Sequence, residues 1–275
     1  MTIPLIDRDP TALEVEKFRL ILSTYQDGSG QLAAKGNLTL PGWRDFERTV
    51  AATFGGESQE NKLVFDVLLF SSVPGIRYGI SCKMRRTLDD TMRTGRVMLE
   101  LSNSAGKFWK ALDDYGLNQQ NYKARPMQVG QALLNLVRGW HQEVSLSNGG
   151  SVEIEKSCYL ALSWNKLGNY QLFKFQLELP RAEDILWDFP LVEDAAGNQK
   201  PGRRLRGQDK QGVLFEWYGE SGGQLKYYPL VADALWKSEI FSLEPLPQTD
   251  SDHFGIIAKA RSYFPERWSS LSAQS

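Results

Sequence analysis

The stretch KLVFDVLLF, residues 62–70, sets one acid, Asp66, inside an otherwise mostly apolar run. A second apolar stretch, GISCKMR at 79–85, carries Lys83. Both read as strands, Leu63–Phe70 and Ile76–Lys83, and the linker SSVPG between them has the Pro and Gly of a turn. In the second strand Ile76, Tyr78, Ile80 and Cys82 share one face, and Arg77, Gly79, Ser81 and Lys83 share the other. A charge withdrawn from water is costly unless it is paired or binds a metal. The fold must therefore deal with this acid and this amine together. Either they neutralise each other as a structural ion pair, or they do chemistry.

The flanking sequence supplies helices. TALEVEKFRLILSTYQ carries a rough apolar stripe of Leu13, Phe18, Leu20, Ile21 and Tyr25. LPGWRDFERTVAATFGG reads as a helix opened by Pro41 and closed by Gly55 and Gly56. Trp43, Val50 and Phe54 fall on its apolar stripe, and Glu47 lies on that stripe with them. A helix is expected over 104–115, with Ser102 or Ser104 as its cap. The period does not decide whether Arg96–Leu101 is strand or helix. Val129, Leu133, Leu136, Val137 and Trp140 predict a further helix in RPMQVGQALLNLVRGWHQEVS.

From Ser151 the character changes. SVEIEKSCYLALSWN, NYQLFKFQLELP, GVLFEWYG and GQLKYYPL read as strands rich in aromatic and branched residues. EDAAGNQKPGRRLRGQDKQG between them reads as a mobile basic loop, and HFGIIAKARSYF as a short terminal helix. The expected class is α/β (α+β). Residues 1–150 would hold a helical N-terminus and a core, and 151–275 a strand-rich part that completes it; one continuous domain is the alternative.

Composition removes several classes of function. With 41% hydrophobic and 24% charged residues among 275, the chain has material for a sizeable core. No apolar run approaches the ~20 residues of a membrane span. MTIPLIDRDP lacks the pattern of a secretory signal, and Cys82 and Cys158 read as reduced core thiols, with a single disulfide between them as the alternative; a cytoplasmic protein is expected. His141 and His253 are far apart, which argues against a Cys/His zinc site; a metal held by carboxylates would be Mg²⁺. His141, near a helix end, reads as a surface residue favoured by the helix dipole. Ser81 has neither a neighbouring His nor a nucleophile elbow around it, so it does not read as a nucleophile. A net charge of −1 leaves nucleic-acid contact to local basic patches.

Glu47 on a helix, Asp66 on a strand and Lys83 on the next strand form a set suited to phosphodiester hydrolysis. Carboxylates hold Mg²⁺, and a Lys orients water or stabilises the developing charge. At WRDFERTV, VFDVLL and GISCKMR the chain resembles the PD-(D/E)XK nuclease superfamily, which includes many type II restriction endonucleases. That family places an acid on the first core helix, an acid on the second core strand, and acid-x-Lys on the third. Ser81 stands here in place of the third acid, and no Pro precedes Asp66. The pattern is similar to restriction enzymes with Ser-x-Lys at this point, where a later Glu supplies the missing carboxylate. By that resemblance Glu100 is the substitute, with Glu47 the other choice. The resemblance spans about residues 40 to 115. It implies a restriction-endonuclease-like core, a central mixed sheet flanked by helices. The implied activity is Mg²⁺-dependent, site-specific cleavage of double-stranded DNA by Asp66, Ser81, Lys83, Glu100 and Glu47. Asp66, Glu100 and Glu47 would be the metal ligands.

Five basic residues against two acids lie between Lys83 and Arg96, and further clusters follow in QNYKARP and GRRLRGQDK. Arg85, Arg86, Lys123, Arg125, Arg203, Arg204, Arg206 and Lys226 are the expected DNA contacts. Cutting both strands needs two active sites, so a homodimer, at least on DNA, is expected. Two other functions remain open: a nuclease of DNA repair, and a non-catalytic, aromatic-rich β module binding carbohydrate or protein.

Overall fold

The computed structural model describes residues 2–34, 38–58, 64–102, 104–193, 197–246, 256–266 and 269. α1 (Ala12–Ser23) begins with a reciprocal cap. The Thr11 hydroxyl accepts the Glu14 N–H, and the Glu14 carboxylate accepts the Thr11 N–H. A small hairpin, β1 (Leu32–Ala33) and β2 (Thr39–Leu40), leads to α2 (Trp43–Phe54). Asp45 closes the start of α2 by accepting the N–H groups of Gly42 and Gln31 at 2.8 and 2.9 Å. Gly55 ends it at φ +81°, a left-handed stop that suits Gly. β3 (Gly56–Ser58), β4 (Val67–Phe70) and β5 (Arg77–Arg85) then run as an antiparallel meander.

The connection that follows holds α3 (Leu88–Thr94), β6 (Leu99–Ser102), α4 (Ala105–Asp113) and α5 (Pro126–Glu143). The chain re-enters the sheet as β7 (Cys158–Trp164), parallel to β5, and turns back as β8 (Asn169–Gln176). The strand-rich part follows as β9 (Leu186–Asp188), β10 (Leu191–Glu193), β11 (Gln199–Pro201), β12 (Leu205–Asp209), β13 (Gly212–Tyr218) and β14 (Gln224–Tyr227). β15 (Trp236–Lys237), β16 (Phe241–Ser242) and α6 (Ile256–Tyr263) close the described chain.

The main sheet is mixed and runs β15-β8-β7-β5-β4-β3, with β16 also on β8. A second sheet, antiparallel throughout, runs β6-β14-β13-β12-β9. The alternation along β5 sorts its side chains as its sequence predicts. Tyr78, Ile80, Cys82 and Met84 pack with Phe18 and Leu22 of α1 and with Phe46, Val50 and Phe54 of α2. On the opposite face Tyr159, Ala161, Phe173 and Phe175 pack with Val129, Leu133 and Val137 of α5, and this core continues into Phe215, Trp217 and Leu225 of the second sheet. Both cores draw on residues from either side of position 150. Gly79 is required where it stands, because a Cβ there would overlap the Phe65 ring. The fold is α+β, and among the described residues no helix is long and apolar enough to cross a membrane. Cys82 and Cys158 are free and buried.

Several local expectations change. The first strand is shorter than Leu63–Phe70: Asp66 lies just before β4, and residues 62 and 63 fall outside the described set. Its N–H nonetheless donates to the Ile80 carbonyl at 3.2 Å, which holds it to β5. The basic stretch read as a mobile loop contains β11 and β12; residues 194–196 within it lie outside the described residues. Leu205 and Gly207 are buried there, while Arg204 and Arg206 alternate with them and share one acid on the neighbouring strand. Ser104 precedes α4 but makes no side-chain cap. Trp43 is exposed rather than part of the buried stripe of α2, and Leu13 and Leu20 of α1 are likewise exposed.

Candidate active site

Val67 pairs with Ile80, so the residue before it, Asp66, falls level with Ser81 at the end of the β4–β5 ladder. Asp66 Oδ2 accepts three donors: the Cys82 N–H at 2.7 Å, Lys83 Nζ at 3.2 Å and Ser81 Oγ at 3.4 Å. The backbone donor fixes the carboxylate, and Lys83 balances its charge. Both side chains remain partly open to solvent, 16% for Lys83 and 28% for Asp66. The acid and the amine that the sequence sets on neighbouring strands do meet, where the β4–β5 ladder ends.

Glu47 comes to this point from α2 and is 9% exposed. Its carboxyl is pushed up to about 7, first by burial and then by the negative charge of Asp66, with Lys83, Arg44 and Arg48 pulling it back. Two carboxyl groups thus lie within each other's field beside one amine in a partly desolvated setting. Among the described residues no three His, Cys, Asp or Glu side chains converge as a metal-ligand cluster.

Glu100 makes its contacts with other groups. It lies on β6, the edge strand of the second sheet, opposite Lys226, and its carboxylate accepts from the Arg85 guanidinium. Arg85 is two residues beyond Lys83 on the same face of β5, so Glu100 borders the site through Arg85.

His141 overturns its expected surface position. It is 8% exposed, its ring stacks on Phe65 with centroids 5.5 Å apart, and Tyr159 lies 6.1 Å away. Burial and the positive charge of Lys83 lower its pKa to about 4, so it is neutral at pH 7. The signal was available: Leu134, Val137 and His141 recur at helical spacing on the buried side of α5.

Of the expected DNA-contact residues, Lys123, Arg203, Arg204, Arg206 and Lys226 lie at the second sheet, and most of the set are paired. Lys123 and Arg203 share Glu220 at 2.8 and 3.4 Å. Arg204 and Arg206 share Glu216 at 2.9 and 3.9 Å, and the hydroxyls of Tyr218 and Tyr228 also donate to Glu216. Lys226 lies 4.6 Å from the Tyr218 ring centroid and Arg86 5.8 Å from that of Trp164, while Arg125 reaches Gln128 at 3.5 Å. Glu100, Lys226, Glu216, Arg206 and Asp188 stand opposite one another on successive strands, an alternating row of charge across the sheet. Sequence reasoning passed over Glu216, although the alternation in LFEWYG places it on the face opposite Phe215 and Trp217. Comparison with protein-family models, with curated proteins and with solved structures found no match to this chain.

Proposed function

We propose that this chain is a Mg²⁺-dependent endonuclease of double-stranded DNA, of the type II restriction kind, with its site at Glu47, Asp66, Ser81 and Lys83. The observation that carries this reading is the 3.2 Å approach of Lys83 Nζ to Asp66 Oδ2 at the end of the β4–β5 ladder, with the buried Glu47 alongside. The order of these groups supports it. An acid lies on the helix before the meander, an acid precedes the second strand, and Ser-x-Lys sits on the third, in a mixed sheet with α2 on one face and α5 on the other. A restriction-endonuclease-like core is the fold this reading assigns to that part of the chain.

Glu47 and Asp66 are the residues that would hold Mg²⁺, and Glu47 fills the vacancy left by Ser81. Glu100 is engaged by Arg85 and is assigned to steadying the second sheet against the end of β5. Bound between the two carboxylates, the cation would lower the pKa of water and offset charge on the phosphate oxygens. The remaining work falls to the chain. The Cys82 N–H and Ser81 hydroxyl keep Asp66 Oδ2 oriented. The Lys83 ammonium has donors beyond the one given to Asp66, and these serve a phosphate oxygen or the attacking water. His141 is neutral at pH 7 and adds no positive charge beside Lys83.

The aromatic residues that would serve a carbohydrate- or protein-binding module count against that alternative, because Trp187, Trp217 and Tyr122 are buried. A repair nuclease would share the chemistry and differ in its products. Digestion of a mixed-sequence plasmid with Mg²⁺ or with EDTA, followed by run-off sequencing of the ends, tests the assignment. Discrete Mg²⁺-dependent ends at one sequence are expected. Random degradation would exclude the site-specific form, and no cleavage at all would exclude a nuclease.

A further inference from the structure

Trp43 opens α2 and is 53% exposed, an unusual state for so large an apolar side chain. The Arg44 guanidinium lies 4.9 Å from its ring centroid. Glu47 follows Trp43 by one helical turn on the same side of α2. The charges of Arg44 and Arg48 both act on the Glu47 carboxyl, so both guanidinium groups stand within electrostatic reach of the site. Among the described residues no carboxylate pairs with Arg44, whereas Arg85, Arg203, Arg204 and Lys123 each face an acid. The helix terminus itself is already closed. Gly42 and Gln31 give their N–H groups to Asp45, and the Arg44 N–H goes to Gln31 Oε1.

We propose that Trp43 and Arg44 form a wall at the start of α2 that docks the DNA backbone beside the scissile bond, Arg44 on a phosphate and the indole face against the adjoining deoxyribose. The inference rests on the nuclease reading and adds a substrate contact to it. A DNA strand alternates an anionic phosphate with a sugar whose C–H faces are apolar. A stacked indole and guanidinium present the matching apolar face and cation side by side. With no carboxylate paired to it among the described residues, Arg44 can meet a phosphate without giving up an ion pair. Contacts of this kind set register on the duplex without reading its sequence.

Binding of a fluorescein-labelled mixed-sequence duplex to the Asp66→Ala chain, across a salt series, tests the wall apart from catalysis. Trp43→Ala in that background is expected to weaken binding about tenfold, and Trp43→Phe to restore most of it. Arg44→Ala is expected to lower the slope of log affinity against log salt by about one, while Arg44→Lys keeps it. Both side chains are exposed, so the variants are expected to keep the circular dichroism of the parent. Unchanged affinity in Trp43→Ala with an unchanged slope in Arg44→Ala would overturn the wall and leave the nuclease reading standing. Unchanged DNA binding with loss of self-association would assign the pair to a protein interface and also overturn it. A wild-type chain that cleaves nothing, with Trp43 and Arg44 still required for binding, would sink the nuclease reading and keep the wall.

Discussion

Glu47 ties the pH behaviour of the fold to that of the site. Its carboxyl rises from an ordinary 4.5 to about 7 on folding. Between those values the folded chain keeps a proton that the unfolded chain has released, so stability falls as pH rises through that window. Glu47→Gln has no such proton. Thermal melts at pH 5 and pH 8 should show a larger loss of Tm for the wild type than for Glu47→Gln; equal losses would mean the carboxyl is not perturbed. His141 has the opposite sign. Its pKa falls from 6.5 to about 4, so the unfolded chain binds the extra proton and stability is lost as pH drops from about 6.5 towards 4. His141→Phe keeps an aromatic ring on Phe65 and should flatten that acid limb in the same melts. Asp66 and Lys83 were legible from sequence because a charge in an apolar strand has few outlets. His141 was legible through its spacing with Leu134 and Val137, but its place near the helix end pointed to the surface, and its ring partners Phe65 and Tyr159 lie far from it in sequence.

At the scale of the element, α5 shows how packing overrides propensity. Gly130 lies against Trp187, and a Cβ there would overlap the indole ring; Gly139, in the same helix, has open space at that position. Gly130→Ala should destabilise by about 1–3 kcal/mol through overpacking. Gly139→Ala should be neutral, or stabilise by up to about 1 kcal/mol through helix propensity. Urea titration of both variants checks the pair, and a stabilised Gly130→Ala would show that α5 does not dock on β9 as described. α2 and α5 were readable because capping and apolar spacing are local. β12 was not, because Arg, Gly and Asp in RRLRGQD look like loop chemistry until Glu216 of β13 lies across from Arg206. α3 is only seven residues long, too short for a periodic signal.

Across the whole molecule, two cores and two sheets depend on pairings far apart in sequence. The second sheet takes β6 from before α4 and α5 and joins it to β14, and this pairing brings Glu100 to Arg85 and Lys226. The resemblance offered Glu100 as a ligand, and nothing local reveals that its strand belongs to another sheet. Strand pairing at this range also sets what the protein can do alone. One chain carries one Asp66–Lys83 pair, so on the proposed nuclease reading two copies are expected to act on the two strands of a duplex. Conversion of nicked to linear plasmid is therefore expected to rise more steeply with protein concentration than nicking does. Equal dependence of the two steps would show that one copy cuts both strands.

The most direct test is single-turnover cleavage of plasmid DNA by wild type, Asp66→Ala and Lys83→Ala in Mg²⁺, with DNA binding measured on each. Cleavage by the wild type, its loss by at least about a thousandfold in both variants, and retained binding are the predicted result. An Asp66→Ala chain that cuts at the wild-type rate would contradict the assignment.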